Sequence, residues 1–117
     1  MKYMLMFWDE ESADQLADQN DPAFLAAIRS WVDEMTNRGI RLHGGPLSYA
    51  AEAALVRVRD GEILLSDGPY LETKEQVGGY DVIECADLNA AMTVAAAHPL
   101  AATATVEVRP LEDLPGG

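Results

Sequence analysis

Cysteine is nearly absent from this chain: Cys85 stands alone among 117 residues. A single thiol excludes an intramolecular disulfide framework and a cysteine-rich zinc site. Histidine is scarce too, with only His43 and His98, far apart and in no metal-ligating spacing. A transition-metal centre has no donor set to draw on, and none is expected. Basic residues are the third shortage: 8 Lys+Arg face 20 Asp+Glu, a net charge of −12. So few cations argue against nucleic acid as a partner, since phosphate binding needs Lys and Arg to displace counterions. They argue equally against docking on an anionic membrane. No apolar run approaches the ~18 residues of a membrane span. No glycine-rich phosphate loop follows a strand, so no nucleotide or other cofactor is expected. The opening apolar stretch meets Asp9-Glu10-Glu11 too soon for a signal peptide, and the expected location is cytoplasmic.

What is present is enough to fold. Hydrophobic residues make up 49% of the chain, which supports one domain with one core. That domain is expected over residues 1–110, with a fraying tail over 111–117. The charge is unevenly spread. Residues 29–59 hold five arginines against three acids, while the remainder holds three basic residues and seventeen acidic ones. An acidic rim thus surrounds a weakly basic island.

Residues 2–8 read as a buried strand, and 10–20 as an acidic loop. Asp21-Pro22 is a helix start, with Asp as N-cap and Pro at the first helical position. Leu25, Ile28, Val32 and Met35 then recur at helical spacing, widened by Phe24 and Trp31, until Gly39 supplies a left-handed cap. Ile40-Arg41-Leu42-His43 alternates, which puts Arg41 and His43 on one face of a strand. Gly44-Gly45-Pro46 is expected to interrupt it before a brief resumption at 47–49. Asp60-Gly61 between 54–59 and 62–66 is a hairpin signal. Residues 67–79 read as irregular and 80–85 as a strand. Asp87 caps a second helix with a Leu88, Ala91, Met92, Ala95, Ala96 stripe, stopped by Pro99. Residues 103–109 alternate as a last strand. The order is βαβ, hairpin, βαβ, which predicts a ferredoxin-like α+β sandwich with both helices on one sheet face. The opposite face then calls for a partner, and a homodimer through sheet faces is the natural one.

The stretch Asp67-Gly68-Pro69-Tyr70-Leu71-Glu72-Thr73-Lys74-Glu75-Gln76-Val77-Gly78-Gly79-Tyr80 resembles the YCII-related proteins, in particular their DGPF-type branch, with Tyr70 where Phe is usual. The likeness extends through Val56-Arg57-Val58-Arg59-Asp60-Gly61 and Val106-Glu107-Val108-Arg109-Pro110. It implies a dimeric α+β barrel of ferredoxin-like halves. It also implies an enzymatic role through a His on the first helix paired with an Asp just after the second, in a wider family that includes lyase-type enzymes. Those positions read Phe24 and His98 here, so the implied dyad is missing. Its branch further implies a link to extracytoplasmic-function sigma factors, hence the alternative of a regulatory interaction protein.

On their own chemistry, Asp67 suits a turn carboxylate that accepts backbone N–H groups. Thr73, Lys74 and Glu75 offer a hydroxyl, a cation and a carboxylate that can bind a small anion or enol and move a proton. Gly78 and Gly79 permit close backbone approach beside them. Tyr80 can aim its hydroxyl into a pocket, and His43 can act as a general base. The expected catalytic set is therefore His43, Asp67, Lys74 and Tyr80, with Thr73, Glu75, Gly78 and Gly79 holding a polar or aromatic ligand. His98, before Pro99, reads as compensating a helix dipole, and Cys85 as an inert apolar residue.

Overall fold

The computed structural model describes residues 1–11 and 21–115, so most of the acidic loop expected at 10–20 lies outside the described residues. Strand β1 (Lys2–Glu10) forms the middle of a sheet because its alternate residues suit two different environments. Tyr3, Leu5 and Phe7 are buried, while Met4, Met6 and Trp8 on the other face are half-buried. Helix α1 (Pro22–Asn37) begins as expected, with the Asp21 carboxylate accepting the Ala23 N–H. It ends at Gly39, whose φ of +72° suits a residue without a Cβ.

Strand β2 is Arg41–Pro46, β3 Ala54–Arg59, β4 Glu62–Asp67, β5 Glu75–Glu84 and β6 Thr105–Pro110; helix α2 is Leu88–Ala96. The main sheet has the order β2-β5-β1-β6, with every neighbouring pair antiparallel. That order, with a helix after β1 and another after β5, is the ferredoxin-like α+β arrangement. The hairpin β3–β4 forms a separate two-stranded sheet. Its turn residues Asp60 and Gly61 both have positive φ, the turn that matches strand twist.

Both helices cover one face. Trp31 and Met35 of α1 and Ala91, Val94 and Ala95 of α2 join Tyr3, Leu5, Phe7 and Ile83 in the core. The Trp31 indole N–H donates to the Val94 carbonyl at 3.1 Å, satisfying a buried donor and tying α1 to α2. Helix α2 departs from its expected stripe: Leu88 and Met92 are exposed, and Val94 is buried with Ala91 and Ala95. The small alanines let this helix sit close to the sheet, which turns the larger residues outward.

Three strand boundaries also differ from expectation. Strand β2 runs straight through Gly44-Gly45-Pro46 and stops there, so residues 47–49 add no second piece. Strand β5 starts at Glu75 because Gly78 is absorbed as a bulge: Phe7 pairs with Gly79 and Trp8 with Val77. Strand β6 starts at Thr105, since Pro99–Ala102 winds into a 3-10 turn.

Candidate functional site

The first half of α1 does not rest on the sheet. Phe24 and Ile28 are only half-buried and Leu25 is exposed, because a cavity of about 420 Å³ lies between them and the sheet. That volume is within the range of small-molecule sites. Its polar lining includes Arg41, Asp81 and His98, with Asp9, Glu10 and Glu11 toward β1.

Arg41 and Asp81 meet because β2 is bulged at Leu42. Arg41 pairs across with Ile83, and His43 with Val82, so the two side chains leave the strand on opposite faces. The expectation that Arg41 and His43 share a face is thereby overturned. Arg41 turns toward the helices, where its Nε donates to Asp81 Oδ1 at 2.8 Å, with the two side chains 17% and 7% exposed. Gly44 makes this possible, since a Cβ there would collide with the Asp81 carboxylate and the Tyr80 carbonyl. Burial raises the Asp81 pKa above the usual carboxylate range, and the Arg41 hydrogen bond and charge only partly oppose it.

His98 is also misjudged by sequence. It is 4% exposed, and burial pushes its pKa down to about 4, so it is neutral and cannot serve as a helix-dipole cation. Its Nδ1 accepts the Leu100 N–H at 3.0 Å and so caps the 3-10 turn. The ring is held between Phe7, 4.5 Å away by centroids, and the edge-on Trp31 at 4.7 Å.

The residues singled out from the motif separate into three places. Gly78, Gly79 and Tyr80 line the cavity, with Gly79 buried where a Cβ would press on the Gly45 carbonyl. His43 sits on the open sheet face, edge-on to Tyr80 at 5.8 Å. Asp67, Thr73 and Lys74 instead share a shallow depression near the hairpin base. There Lys74 is 81% exposed and ion-paired to Glu10 at 3.0 Å, which raises its pKa. Thr73 Oγ1 donates to the Glu75 carbonyl, and Gln76 Nε2 donates to the Leu71 and Thr73 carbonyls. These bonds knot the loop before β5. Glu75 is an exposed strand-end residue paired across with Glu10. The Asp67 carboxylate makes no hydrogen bond among the described residues, so its expected turn-capping role is not seen. The structure thus does not gather the motif into one polar pocket.

A YCII-related domain model matches residues 1–115, nearly the whole chain. The chain belongs to the YCII-related family. It is also 44% identical over 63 residues to an uncharacterized protein of Rhizobium meliloti (strain 1021), a match that spans 50% of this chain and 49% of that protein. The chain thus spans about half the length of that curated relative.

In this YCII-related chain, Phe24 and His98, the positions where the resemblance implied a dyad, both line the same cavity. Arg41, Asp81 and His98 are polar groups of the cavity wall that the sequence did not single out as site residues. Asp81 carried a signal: a carboxylate flanked by Tyr80 and Val82-Ile83 inside a strand needs a partner once buried. Arg41 carried none, because its face depends on the bulge.

Proposed function

We propose that this protein binds a small polar or aromatic molecule in the cavity between α1 and the sheet. The observation that carries the reading is the convergence of a buried ion pair, Arg41–Asp81, and a neutral histidine, His98, on a cavity whose walls are mostly apolar. The same groups support acid–base, lyase-like chemistry. Asp81, with its pKa raised by burial, is suited to take up a proton from a bound molecule. A thermal-shift screen of small molecules against wild type, Ile28→Trp and Lys74→Ala tests the site. Every stabilising compound should lose its effect on Ile28→Trp, which fills the cavity, and keep it on Lys74→Ala. Compounds that still stabilise Ile28→Trp, or that fail only on Lys74→Ala, place the site in the exposed depression instead.

Within the family, the Asp67-Gly68-Pro69-Tyr70 segment supports assignment to the DGPF-type branch. We also propose a homodimer through the open sheet face. The single chain's accessible surface of 8192 Å² exceeds the roughly 6,200 Å² of a compact monomer this size. The radius of gyration, 16.4 Å, exceeds the expected ~13.4 Å. The excess area, about 2,000 Å², is on the scale that homodimers bury. Half-buried Met4, Met6 and Trp8 supply the apolar centre of that face, and exposed Val56, Val58, Ile63 and Leu65 form an apolar ladder on the hairpin. Sedimentation equilibrium should give twice the chain mass for wild type and the chain mass for Met6→Glu. A monomeric wild type refutes the proposal. For the alternative, a regulatory partner such as a sigma factor, the support is the acidic charge of the chain.

A further inference from the structure

The contact between Arg41 and Asp81 leaves most of both groups unused. The guanidinium gives only its Nε–H, and the carboxylate takes it on Oδ1. Neither side chain has another hydrogen-bond partner among the described residues. Oδ1 is also the oxygen that lies against β2, where a Cβ on Gly44 would strike it. Asp81 Oδ2 and the two amino groups of Arg41, Nη1 and Nη2, are therefore unengaged. No buried side-chain nitrogen or oxygen among the described residues lacks a partner, so these three atoms are not sealed in the protein. They open on the cavity that both residues line. Covalent structure fixes their spacing, since each is one bond angle away from the two atoms that meet at 2.8 Å. A free basic oxygen and free charged N–H donors thus stand side by side.

The other polar groups of the wall do not offer this pairing. His98 accepts the Leu100 N–H on Nδ1, so its neutral ring carries the proton on Nε2 and has no lone pair left for a second one. Glu10 is ion-paired to Lys74, and Glu11 accepts the Ala50 N–H. Of the described carboxylates that line the cavity, only Asp81 is buried. A base beside an oxyanion donor is what proton removal next to a carbonyl requires, because charge leaves the C–H bond and gathers on the carbonyl oxygen.

We propose that Arg41 and Asp81 together form an enolisation site for a carbonyl compound that carries hydrogen on the adjacent carbon. This deepens the reading of the cavity as the ligand site and rests on it. Asp81 Oδ2 takes the proton. The C–H electron pair becomes a carbon–carbon double bond, and the carbonyl π pair moves onto oxygen, which accepts the Arg41 Nη–H groups. Return of a proton to the same carbon is exchange, and its delivery to the far carbon of a conjugated system is isomerisation. Departure of a β-substituent with its bonding pair is elimination. Burial, which raises the Asp81 pKa, strengthens this carboxylate as a base. The apolar body of the substrate lies along Phe24, Leu25 and Ile28.

The probe is 2-tetralone, a bicyclic ketone with benzylic hydrogens beside its carbonyl. Proton NMR follows deuterium uptake at that carbon from D2O, and the Ile28 and Gly79 amides of the ¹⁵N-labelled chain report binding. Wild type and Lys74→Ala should exchange the probe at least tenfold faster than buffer alone. Asp81→Asn, which can still accept the Arg41 Nε–H, should bind it within threefold of wild type and exchange it at the buffer rate. Arg41→Met combined with Asp81→Asn strands neither charge and stands in where Asp81→Asn fails to fold. Arg41→Lys keeps a cation for Asp81 but loses the paired amino groups, and should lower kcat for exchange at least tenfold with little change in KM. Undiminished exchange in Asp81→Asn or Arg41→Lys overturns the inference and leaves the cavity as the ligand site. So does a wild type that binds 2-tetralone at the cavity without accelerating exchange. A wild type that neither binds nor exchanges the probe also overturns the inference, and the Ile28→Trp screen then decides the cavity separately.

Discussion

Replacing Arg41 by Met probes the most consequential contact in the cavity wall. Met keeps most of the apolar stem and removes the charge that Asp81 faces at 2.8 Å. Asp81, only 7% exposed, is then a buried carboxylate without its cation. Breaking such a pair costs about 3–5 kcal/mol. The partial exposure of Arg41 and the option for Asp81 to protonate put the expected loss near 3 kcal/mol at pH 7. For a domain of this size that is roughly a 10–15 °C drop in Tm.

The pH dependence gives the sharper test. The folded-state pKa of Asp81 is already raised, so its contribution to stability is fully present below the unfolded value of about 3.9. It is lost as pH rises through the higher folded value. Removing Arg41 takes away the hydrogen bond and the nearby charge that chiefly hold this pKa down, and pushes it higher still. The penalty of Arg41→Met should therefore be small near pH 4 and grow toward pH 7. Urea unfolding at both pH values measures it. Adding Asp81→Asn should recover part of the loss at pH 7, because the stranded charge is gone. A penalty that is equal at both pH values, or below about 1 kcal/mol at pH 7, refutes the assignment of a coupled buried pair.

Gly44→Ala should destabilise by about 1–3 kcal/mol, since its Cβ meets the Asp81 carboxylate, whereas Gly45→Ala, with open space around its Cβ, should be close to neutral. Equal effects in chemical denaturation would contradict that geometry. For His98 the shift runs the opposite way: its pKa falls from 6.5 to about 4. Its contribution is present above pH 6.5 and disappears as pH falls through about 4. His98→Phe should lose about 1 kcal/mol at pH 7 through the unpaired Leu100 N–H, and close that gap or overtake wild type near pH 4.5. A parallel acid-denaturation curve for the two proteins would show that His98 is not held neutral.

The elements of this fold were legible because each rests on local chemistry. The Asp21 cap, the Gly39 terminus, the Asp60-Gly61 turn and the alternation of Tyr3, Leu5 and Phe7 are decided within a few residues. The candidate site was mostly not legible, for a physical reason. Leu42 and Gly78 are bulged, and a bulge shifts side-chain alternation by one residue without changing the composition of the strand. Arg41 and His43 thus parted company, and Gly78-Gly79 looked like a break. The stretch 67–80 carries the family resemblance, and its Thr73, Lys74 and Glu75 are residue types able to bind an anion and move a proton. Its Thr73 and Gln76 are occupied by loop carbonyls, and its Lys74 lies in solvent. His98 looked like an ordinary helix-end residue because nothing local announces that Phe7 and Trp31 will enclose it.

The cavity follows from a mismatch between the two surfaces that should have closed it. Helix α1 carries apolar residues along its whole length, but the sheet beneath it changes. Under Trp31 and Met35 lie the large side chains of Tyr3, Leu5 and Ile83. On the same sheet face near β2, the places are taken by Gly44, Gly79 and Pro46, with Asp81 between them. Glycine cannot fill the space that Phe24, Leu25 and Ile28 leave. Those side chains therefore forgo burial that is typically worth about 1.5–3 kcal/mol each when complete. Larger residues on the floor would recover that energy, but Gly44 must stay small to admit the Arg41–Asp81 pair. The ion pair and the void are thus one feature, a polar wall that prevents the helix from closing on the sheet. On the proposed function, a ligand bound there completes the packing beside the pair. At a hundredfold excess over its Kd it would add about 2.7 kcal/mol to stability. On that reading the gain comes from filling the cavity between α1 and the sheet.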